Sequence, residues 1–285
     1  MRQASHLVLM VSAIVLVVPL FSQSPLQKLT FEVVSLKLNK SGVRNRSVGA
    51  AGGRFVATNV SLRGLLDYAY RTRSSGLFDS QIAGGPSWLD TDRFDVEAKP
   101  EGDSRPIPVD QMQLLVVSLL EDRFQLRLHR EKREMAVYNL LMAKKGKLKR
   151  SEDQSPVVYG PLGGTPPPSK SSSPPRGASM MMANNSGVEL MATAINMATL
   201  AGSLQLQVDR PIIDKTNLQG LFDIELRFAP TSAIQSAPQP GAAPPVEVGP
   251  SLFTALQEQL GLKLQAGKGP VEVFVIDHIE RPTEN

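Results

Sequence analysis

Apolar residues recur at spacings of three and four in four stretches of the chain. They are Leu62, Leu65, Leu66, Ala69 and Tyr70; Met112, Leu115, Val116, Leu119 and Leu120; Met197, Leu200, Ala201 and Leu204; and Leu252, Ala255, Leu256 and Leu260. Such spacing places each set on one side of a helix. Ser61, Asp110, Asn196 and Ser251 precede the stripes. Each carries a side-chain oxygen that can accept a first-turn amide as an N-cap.

Strand patterns follow each stripe. Leu126 and Leu128 alternate with Gln125, Arg127 and His129, as in a half-buried strand, and Val271 to Ile276 is apolar on nearly both faces, as in a central one. Phe94-Asp-Val-Glu97 and Phe222-Asp-Ile-Glu225 are near-identical alternating strands, and Phe31–Leu38 and Arg54–Ala57 lead in. The order reads as helix–strand–strand, four times. Antiparallel hairpins alternating with single helices imply an α+β fold with the helices packed on one face of an antiparallel sheet.

The pattern is also written twice. Leu120, Leu126, Leu128 and Val137 fall on Leu256, Leu262, Leu264 and Val273 with a constant shift of 136 residues (256 minus 120). A second match, shifted by 135 (192 minus 57), lays Ala57-Thr58, Leu62, Leu65 and Ala69 over Ala192-Thr193, Met197, Leu200 and Leu204. Two segments with nearly one shift predict two duplicated halves, 30–150 and 187–285. Two stretches interrupt them. Residues 151–186 are rich in Pro, Gly and Ser, and 230–250 in Pro and Ala. Neither has the apolar content to offset ordering entropy, so the first is expected to be a disordered linker and the second a mobile insert.

Composition adds an address. Arg2, the apolar run Leu7–Leu20 and the polar exit Phe21–Ser24 have the layout of a signal peptide, expected over 1–23, with cleavage before a mature start at about residues 22 to 25. That run is short for a membrane span, and no later segment suits one. The expected location is periplasmic or secreted. The absence of cysteine removes disulfides, thiolate nucleophiles and thiolate metal ligands. With 41% hydrophobic and 5% aromatic residues, the core is expected to be aliphatic. A formal charge of +4 speaks to solubility and against nucleic acid, which calls for a concentrated basic face.

Gly84-Gly-Pro-Ser-Trp-Leu89, Asp122-Arg-Phe124, Asp214-Lys-Thr216, Leu260-Gly-Leu-Lys-Leu264 and the ending Val275-Ile-Asp-His-Ile-Glu-Arg-Pro-Thr-Glu-Asn285 carry a resemblance. The chain resembles a family of exported, soil-associated bacterial proteins of unknown function, expanded in Acidobacteria. Asn217 stands where that family has Gly, and Asn also tolerates a left-handed turn. Some relatives are fused behind a membrane metallopeptidase of the antirepressor type, which implies a sensory or interaction role. The resemblance brings no catalytic residue, cofactor or metal.

Candidate chemistry is sparse. Asp214-Lys215-Thr216 resembles the phosphorylated motif of ion-pumping ATPases but lacks its continuation, and Lys-Thr-Asn-Leu-Gln-Gly is ordinary turn chemistry. His129 and His278 follow the leader, with Asp277 and Glu280 near the second, but no pair has metal-ligand spacing. Asp95/Glu97 and Asp223/Glu225 each share a strand face, as acid–base pairs would. Their recurrence favours a place in the fold. Trp88 is read as a plug against the core rather than a sugar platform. Arg123, Arg127, Arg130, Lys132, Arg133, Lys144, Lys145, Lys147, Lys149 and Arg150 form the densest basic region, diluted by Glu121, Asp122, Glu131 and Glu134 as on a solvated hairpin.

No catalytic constellation emerges, so the expected function is an exported, non-enzymatic binding or protein-interaction module. Its partner would be an envelope protein or an anionic glycan. Val60-Ser-Leu-Arg-Gly-Leu-Leu66 is similar to small modules at the front of secretins and TonB-dependent receptors. The alternative is a secreted hydrolase using Asp, Glu and His in a groove between the halves, without a Gly-x-Ser-x-Gly elbow.

Overall fold

Among the described residues the strands form three four-stranded sheets, and the middle one is shared by two cores. The computed structural model describes residues 29–43, 45–72, 75–101, 107–144, 147–157, 173–184, 187–230 and 249–283. The strands are β1 (Phe31–Leu38), β2 (Ser47–Ala51), β3 (Arg54–Ser61), β4 (Ile82–Gly84), β5 (Arg93–Pro100), β6 (Arg127–Met142), β7 (Lys149–Arg150), β8 (Ala178–Asn184), β9 (Gly187–Ile195), β10 (Ile212–Asp214), β11 (Phe222–Phe228) and β12 (Leu262–His278). The helices are α1 (Leu62–Tyr70), α2 (Trp88–Thr91), α3 (Val109–Arg123), α4 (Met197–Leu204) and α5 (Leu252–Ala255), the last continuing as a π-turn over Leu256–Leu260. The sheets run β1-β5-β3-β2, β10-β6-β12-β4 and β7-β11-β9-β8. The protein is a mixed α+β fold.

The helix stripes are buried as their spacing predicts, including Leu65 and Leu66 in α1, Met112 and Leu120 in α3, and Leu200 and Leu204 in α4. Ser61 accepts the Gly64 N–H at 3.2 Å, Asn196 that of Thr199 at 2.8 Å, and Ser251 that of Thr254 at 3.2 Å. Asp110 is not a cap: α3 starts one residue earlier, at Val109, and Asp110 lies inside its first turn. There a carboxylate still favours the positive end of the helix dipole.

Two expectations about strands are corrected. The segments 126–140 and 262–276 are not hairpins. Each is one long strand, β6 of 16 residues and β12 of 17, paired antiparallel from Leu262 opposite Met142 to Ile276 opposite Leu128. The charged run Arg130–Glu134 read as the end of a hairpin. It lies in mid-ribbon, where its partner strand satisfies the backbone while Lys132, Arg133 and Glu134 remain exposed. The sheets are also not wholly antiparallel, because β10 pairs parallel with β6 and β4 parallel with β12.

The stretch 151–186 is likewise not linker throughout. Ala178–Asn184 forms β8, paired along its length with β9. Residues 158–172, 185 and 186 lie outside the described residues, as do 1–28 and, within the expected insert, 231–248.

The ribbon joins the two cores. The first core gathers residues of β1, β3, β5, α1, α2 and α3 with Leu126 and, from the far end of β12, Ile276. The second gathers β9, β11, α4, α5, Leu262 and Leu264 with Leu140 from the far end of β6. Each long strand thus starts in one core and ends in the other. The pair Leu128–Ile276 at one end and the pair Leu140–Leu264 at the other are related by the 136-residue shift (264 minus 128, 276 minus 140). Glu134–Pro270, the middle pair, maps onto itself.

Candidate functional site

The repeated carboxylates hold backbone. β3 and β9 each slip register against their neighbour, between Ala57 and Val60 in β3 and opposite Phe222 and Ile224 in β9. At the slip sits a left-handed residue that is not glycine, Asn59 with φ 54° and Ala194 with φ 52°. Asp95 Oδ1 accepts the Asn59 N–H at 2.8 Å, and Asp223 Oδ1 accepts the Ala194 N–H at 3.0 Å. The outward glutamates make ion pairs, Glu97 with Arg54 at 2.7 Å and Glu225 with Arg227 at 3.0 Å. Asp223 and Glu225 line a cavity of about 470 Å³ with Lys147 and Lys149, and among the described residues no further carboxylate lines it.

His129 and His278 stay apart in their bonding. His129 Nδ1 lies 2.9 Å and 3.0 Å from the two oxygens of Asp277, with Glu131 4.0 Å from Nε2. A carboxylate only accepts, so the Nδ1 proton faces Asp277. His278 Nε2 contacts Glu280 at 3.0 Å. Among the described residues no three His, Asp or Glu side chains converge as a metal would require.

Beside His129 opens a polar cavity of about 610 Å³, lined also by Tyr70, Glu121, Asp122, Arg127 and Arg130. Burial pushes the Tyr70 hydroxyl up in pKa; Glu121 adds to this and Arg130 opposes it. The Arg130 guanidinium stands 5.0 Å over the Phe274 ring and 5.8 Å from that of Tyr70. This cavity gathers six titratable side chains, those of Tyr70, Glu121, Asp122, Arg127, His129 and Arg130.

A second cavity, of about 480 Å³, lies between the loop after α1 and the α4 helix. This is the groove in which a hydrolase would need its acids and histidines. Its lining includes Ser75, Gln81, Asn196, Thr199 and Gln205, and its one carboxylate is Asp214. Asp214 Oδ1 accepts from the Thr216 N–H at 2.9 Å and from Thr216 Oγ1 at 2.7 Å, and Asn217 follows with φ 57°. Asp-Lys-Thr is a self-bonded turn.

Trp88 opens α2 and is 8% exposed, with the Arg281 guanidinium 5.4 Å from its ring. It is a core residue under a cation. The basic region is interleaved with acids: Arg130 meets Glu272 at 3.5 Å, Lys149 meets Asp223 at 3.6 Å, and Arg133 pairs with Glu131. Lys145 lies outside the described residues.

Sequence reasoning missed one feature. Gln259 Oε1 accepts the Arg227 N–H at 3.0 Å, and Gln259 Nε2 donates to the Arg227 carbonyl at 2.7 Å. A side-chain amide thus takes both backbone groups of Arg227 on the outer edge of β11. The available signal was the repeat of Phe-Asp-Val-Glu as Phe-Asp-Ile-Glu.

Residues 63–279 match the model of one family, described as a protein of unknown function (DUF3738). No curated protein and no solved structure matches the chain. Among the described residues no helix is long and apolar enough to cross a membrane.

Proposed function

The chain belongs to DUF3738, a family of unknown function, and we propose that it acts outside the cytoplasm as a non-enzymatic binding or protein-interaction module. The observation that carries this reading is the state of the groove between the two cores. Its one carboxylate is spent on its own turn, and neither histidine lines it. The Asp/Glu pairs that recur in sequence lie on strand faces and hold bulges or ion pairs.

Export is supported by the n-region and apolar run of residues 1–23 and by an architecture that uses no cysteine. An envelope protein in a soil-type bacterium is the partner this location suggests. We also read the chain as two copies of one unit. The equivalent carboxylates Asp95 and Asp223, the caps Ser61 and Asn196, and the 136-residue relation along the ribbon support that reading.

One observation favours a second reading. The His129–Asp277 pair borders a polar cavity, and its counterparts by the 136-residue shift are Gln265 and Leu141, which cannot transfer protons. A hydrolase would therefore work at His129 rather than between the halves. The test has two arms. A bacterium expressing the full chain is fractionated and the product sequenced from its N-terminus; recovery outside the cytoplasm starting at about residues 22 to 25 is expected. Cytoplasmic recovery from Met1 would overturn export. The purified chain is then assayed on ester, glycoside and phosphoester substrates. Turnover abolished by His129→Ala would replace the interaction reading with the hydrolase.

A further inference from the structure

The outer face of the sheet β7-β11-β9-β8 departs from the usual alternation, in which a strand turns apolar residues to its core and polar ones to water. On the inner side β9 obeys it, with Val188, Leu190 and Ala192 buried in the second core. Outward it carries Met191 between Glu189 and Thr193, all half-buried. β8 repeats the departure. Met181 packs against the second core, whereas Met180 and Met182 are 41% and 42% exposed. The Ser179 hydroxyl meets that of Ser203 in α4 at 2.8 Å, which fixes Ser179 and Met181 as the inner side of β8.

Register brings three thioethers together on the outer side. Met180 stands directly opposite Met191, and Met182 stands opposite Glu189. Facing residues have Cα atoms about 4.5–5.5 Å apart, residues two along a strand about 7 Å, and diagonal neighbours about 7–8 Å. Met180, Met182 and Met191 therefore form a triangle on one face. Each sulfur sits on an unbranched, flexible chain that can turn into the middle of such a triangle. Charge at its border favours a cation. Glu225 stands opposite Met191, and Glu189 and Glu225 share the single guanidinium of Arg227, at 2.9 Å and 3.0 Å. Of the two lysines lining the cavity beside Met191, Lys149 pairs with Asp223 at 3.6 Å and Lys147 donates to the Glu258 carbonyl.

We propose that Met180, Met182 and Met191 form a binding site for a soft monovalent cation, copper(I), held by their thioether sulfurs on the outer face of β8 and β9. Soft thioethers select Cu(I), whereas calcium and magnesium take oxygen and zinc takes nitrogen and thiolate. The chain has no cysteine to compete for the ion. A thioether carries no proton, so acid does not strip the site of its ligands as it does a thiolate or imidazole site. The inference goes beyond the interaction-module reading and does not rest on it.

The test uses the full purified chain, isotopically labelled at its methionine methyl groups. It is titrated with Cu(I) kept reduced by ascorbate under nitrogen, with bicinchoninate as the competing chelator. One equivalent should bind and move the methyl signals of Met180, Met182 and Met191, leaving that of Met112, in the first core, in place. Leucine is a well-tolerated replacement for methionine. Met180→Leu, Met182→Leu and Met191→Leu should each weaken binding about tenfold or more, at least what an outer partner of a metal is worth. Met181→Leu, on the inner side, should leave affinity within about twofold. Affinity at about pH 5 should stay within about threefold of that at about pH 7, across the range in which a histidine takes up its proton.

Methyl signals of the three methionines that stay in place would overturn the proposal. So would a triple leucine variant that binds as tightly as wild type. Affinity that falls about tenfold or more on acidification would assign the metal to His129 or His278 instead. Zn(II) bound as tightly at the same signals would overturn the thioether chemistry. Unchanged melting of each leucine variant without metal separates the loss of a ligand from the loss of the fold. A loss at Met181→Leu as large as at the other three would show that copper depends on the packing of β8 and not on the triangle.

Discussion

Asp223 Oδ1 takes the backbone N–H of Ala194 at 3.0 Å, and Ala194 holds a left-handed φ of 52°. Alanine pays for that conformation through its Cβ, at roughly 1 kcal/mol. The carboxylate offsets the strain by satisfying an amide that the slipped register leaves without a strand partner. Asp95 and Asn59 stand in the same relation at 2.8 Å. Asp223→Ala should destabilise the protein by about 1–3 kcal/mol, the cost of orphaning a part-buried amide. Asp95→Ala should cost at least as much, since Asp95 also receives the Asn39 Nδ2 donor at 2.9 Å. Denaturant titration of the two variants measures both, and wild-type stability in either would remove the carboxylate from this role.

Leu140 is fully buried, and it lies at the end of a strand that begins in the other core. Leu140→Ala should cost about 2–5 kcal/mol, as for a buried leucine whose site cannot collapse. Its loss should speed amide exchange first in β9 and α4, which share its core, rather than in β3 and α1. Earlier loosening of β3 would show that the ribbon does not divide between the cores as its packing indicates.

How much of this was legible depended on the distance over which each signal acts. The stripe of α1 and the Ser61 cap are local, and the chain states them within a few residues. The long ribbon is not local. Arg130-Glu-Lys-Arg-Glu134 reads as part of a solvated hairpin because nothing nearby buries it, yet its backbone is paired by residues more than a hundred positions away. β8 was obscured by the Pro and Ser around it, and of its methionines Met181 alone packs against the second core while Met180 and Met182 stay exposed, so backbone pairing with β9 is what holds it. Gln259 reads as an exposed polar position on a helical stripe. Its role shows only in the fold, where the amide takes the Arg227 N–H and carbonyl.

The Arg63–Asp90 pair supplies a pH signature. The guanidinium bonds Asp90 at 2.5 Å and 3.1 Å, and this hydrogen bond holds the carboxyl below the usual range, against burial and with help from the charges of Arg63 and Arg93. A carboxyl depressed on folding adds stability above its unfolded pKa, about 3.9, and loses it as pH falls through the folded value. Asp90 is 53% exposed, so solvent screening limits the contribution to about 0.5 kcal/mol. The stability gap between wild type and Asp90→Asn should be near that figure at neutral pH and shrink progressively below about pH 4. A gap that widens with acid would contradict the assignment.

Limited proteolysis addresses the stretch between β7 and β8, two strands of the sheet beside the second core. Residues 158–172 are Pro-, Gly- and Ser-rich. On either side the chain is pinned, at Ser151 by its N–H to the Leu221 carbonyl at 2.9 Å and at Gly177 by its N–H to Thr193 at 2.7 Å. The first cut should fall between them, since loops of small and polar residues are the preferred nicking sites. First cleavage within β6 would overturn this expectation.

Gln125 and Gly261 end their helices in the same way with opposite residues. They are 136 positions apart (261 minus 125), and both are left-handed, with φ 51° and 68°. After α3 the Leu126 N–H closes back on the Leu120 carbonyl at 3.2 Å, the bond of a Schellman cap whose left-handed residue is usually glycine. Gln125 offsets part of its strain through Nε2, which donates to the Asp122 carbonyl at 2.9 Å. At Gly261 no side chain is tolerated, because a Cβ would strike the Lys144 carbonyl. The Gly261 carbonyl also receives the N–H groups of Ala143 and Lys144, at 2.8 Å and 2.9 Å, so the loop cannot move aside without breaking them. Gln125→Gly should therefore stabilise by about 0.5–1 kcal/mol, the left-handed penalty less one exposed hydrogen bond. Gly261→Ala should destabilise by more than about 1 kcal/mol, since the steric conflict adds to the same penalty. Opposite signs in thermal denaturation are the expected result. A loss of stability in both variants would show that the Gln125 side chain, and not its backbone conformation, governs the end of α3.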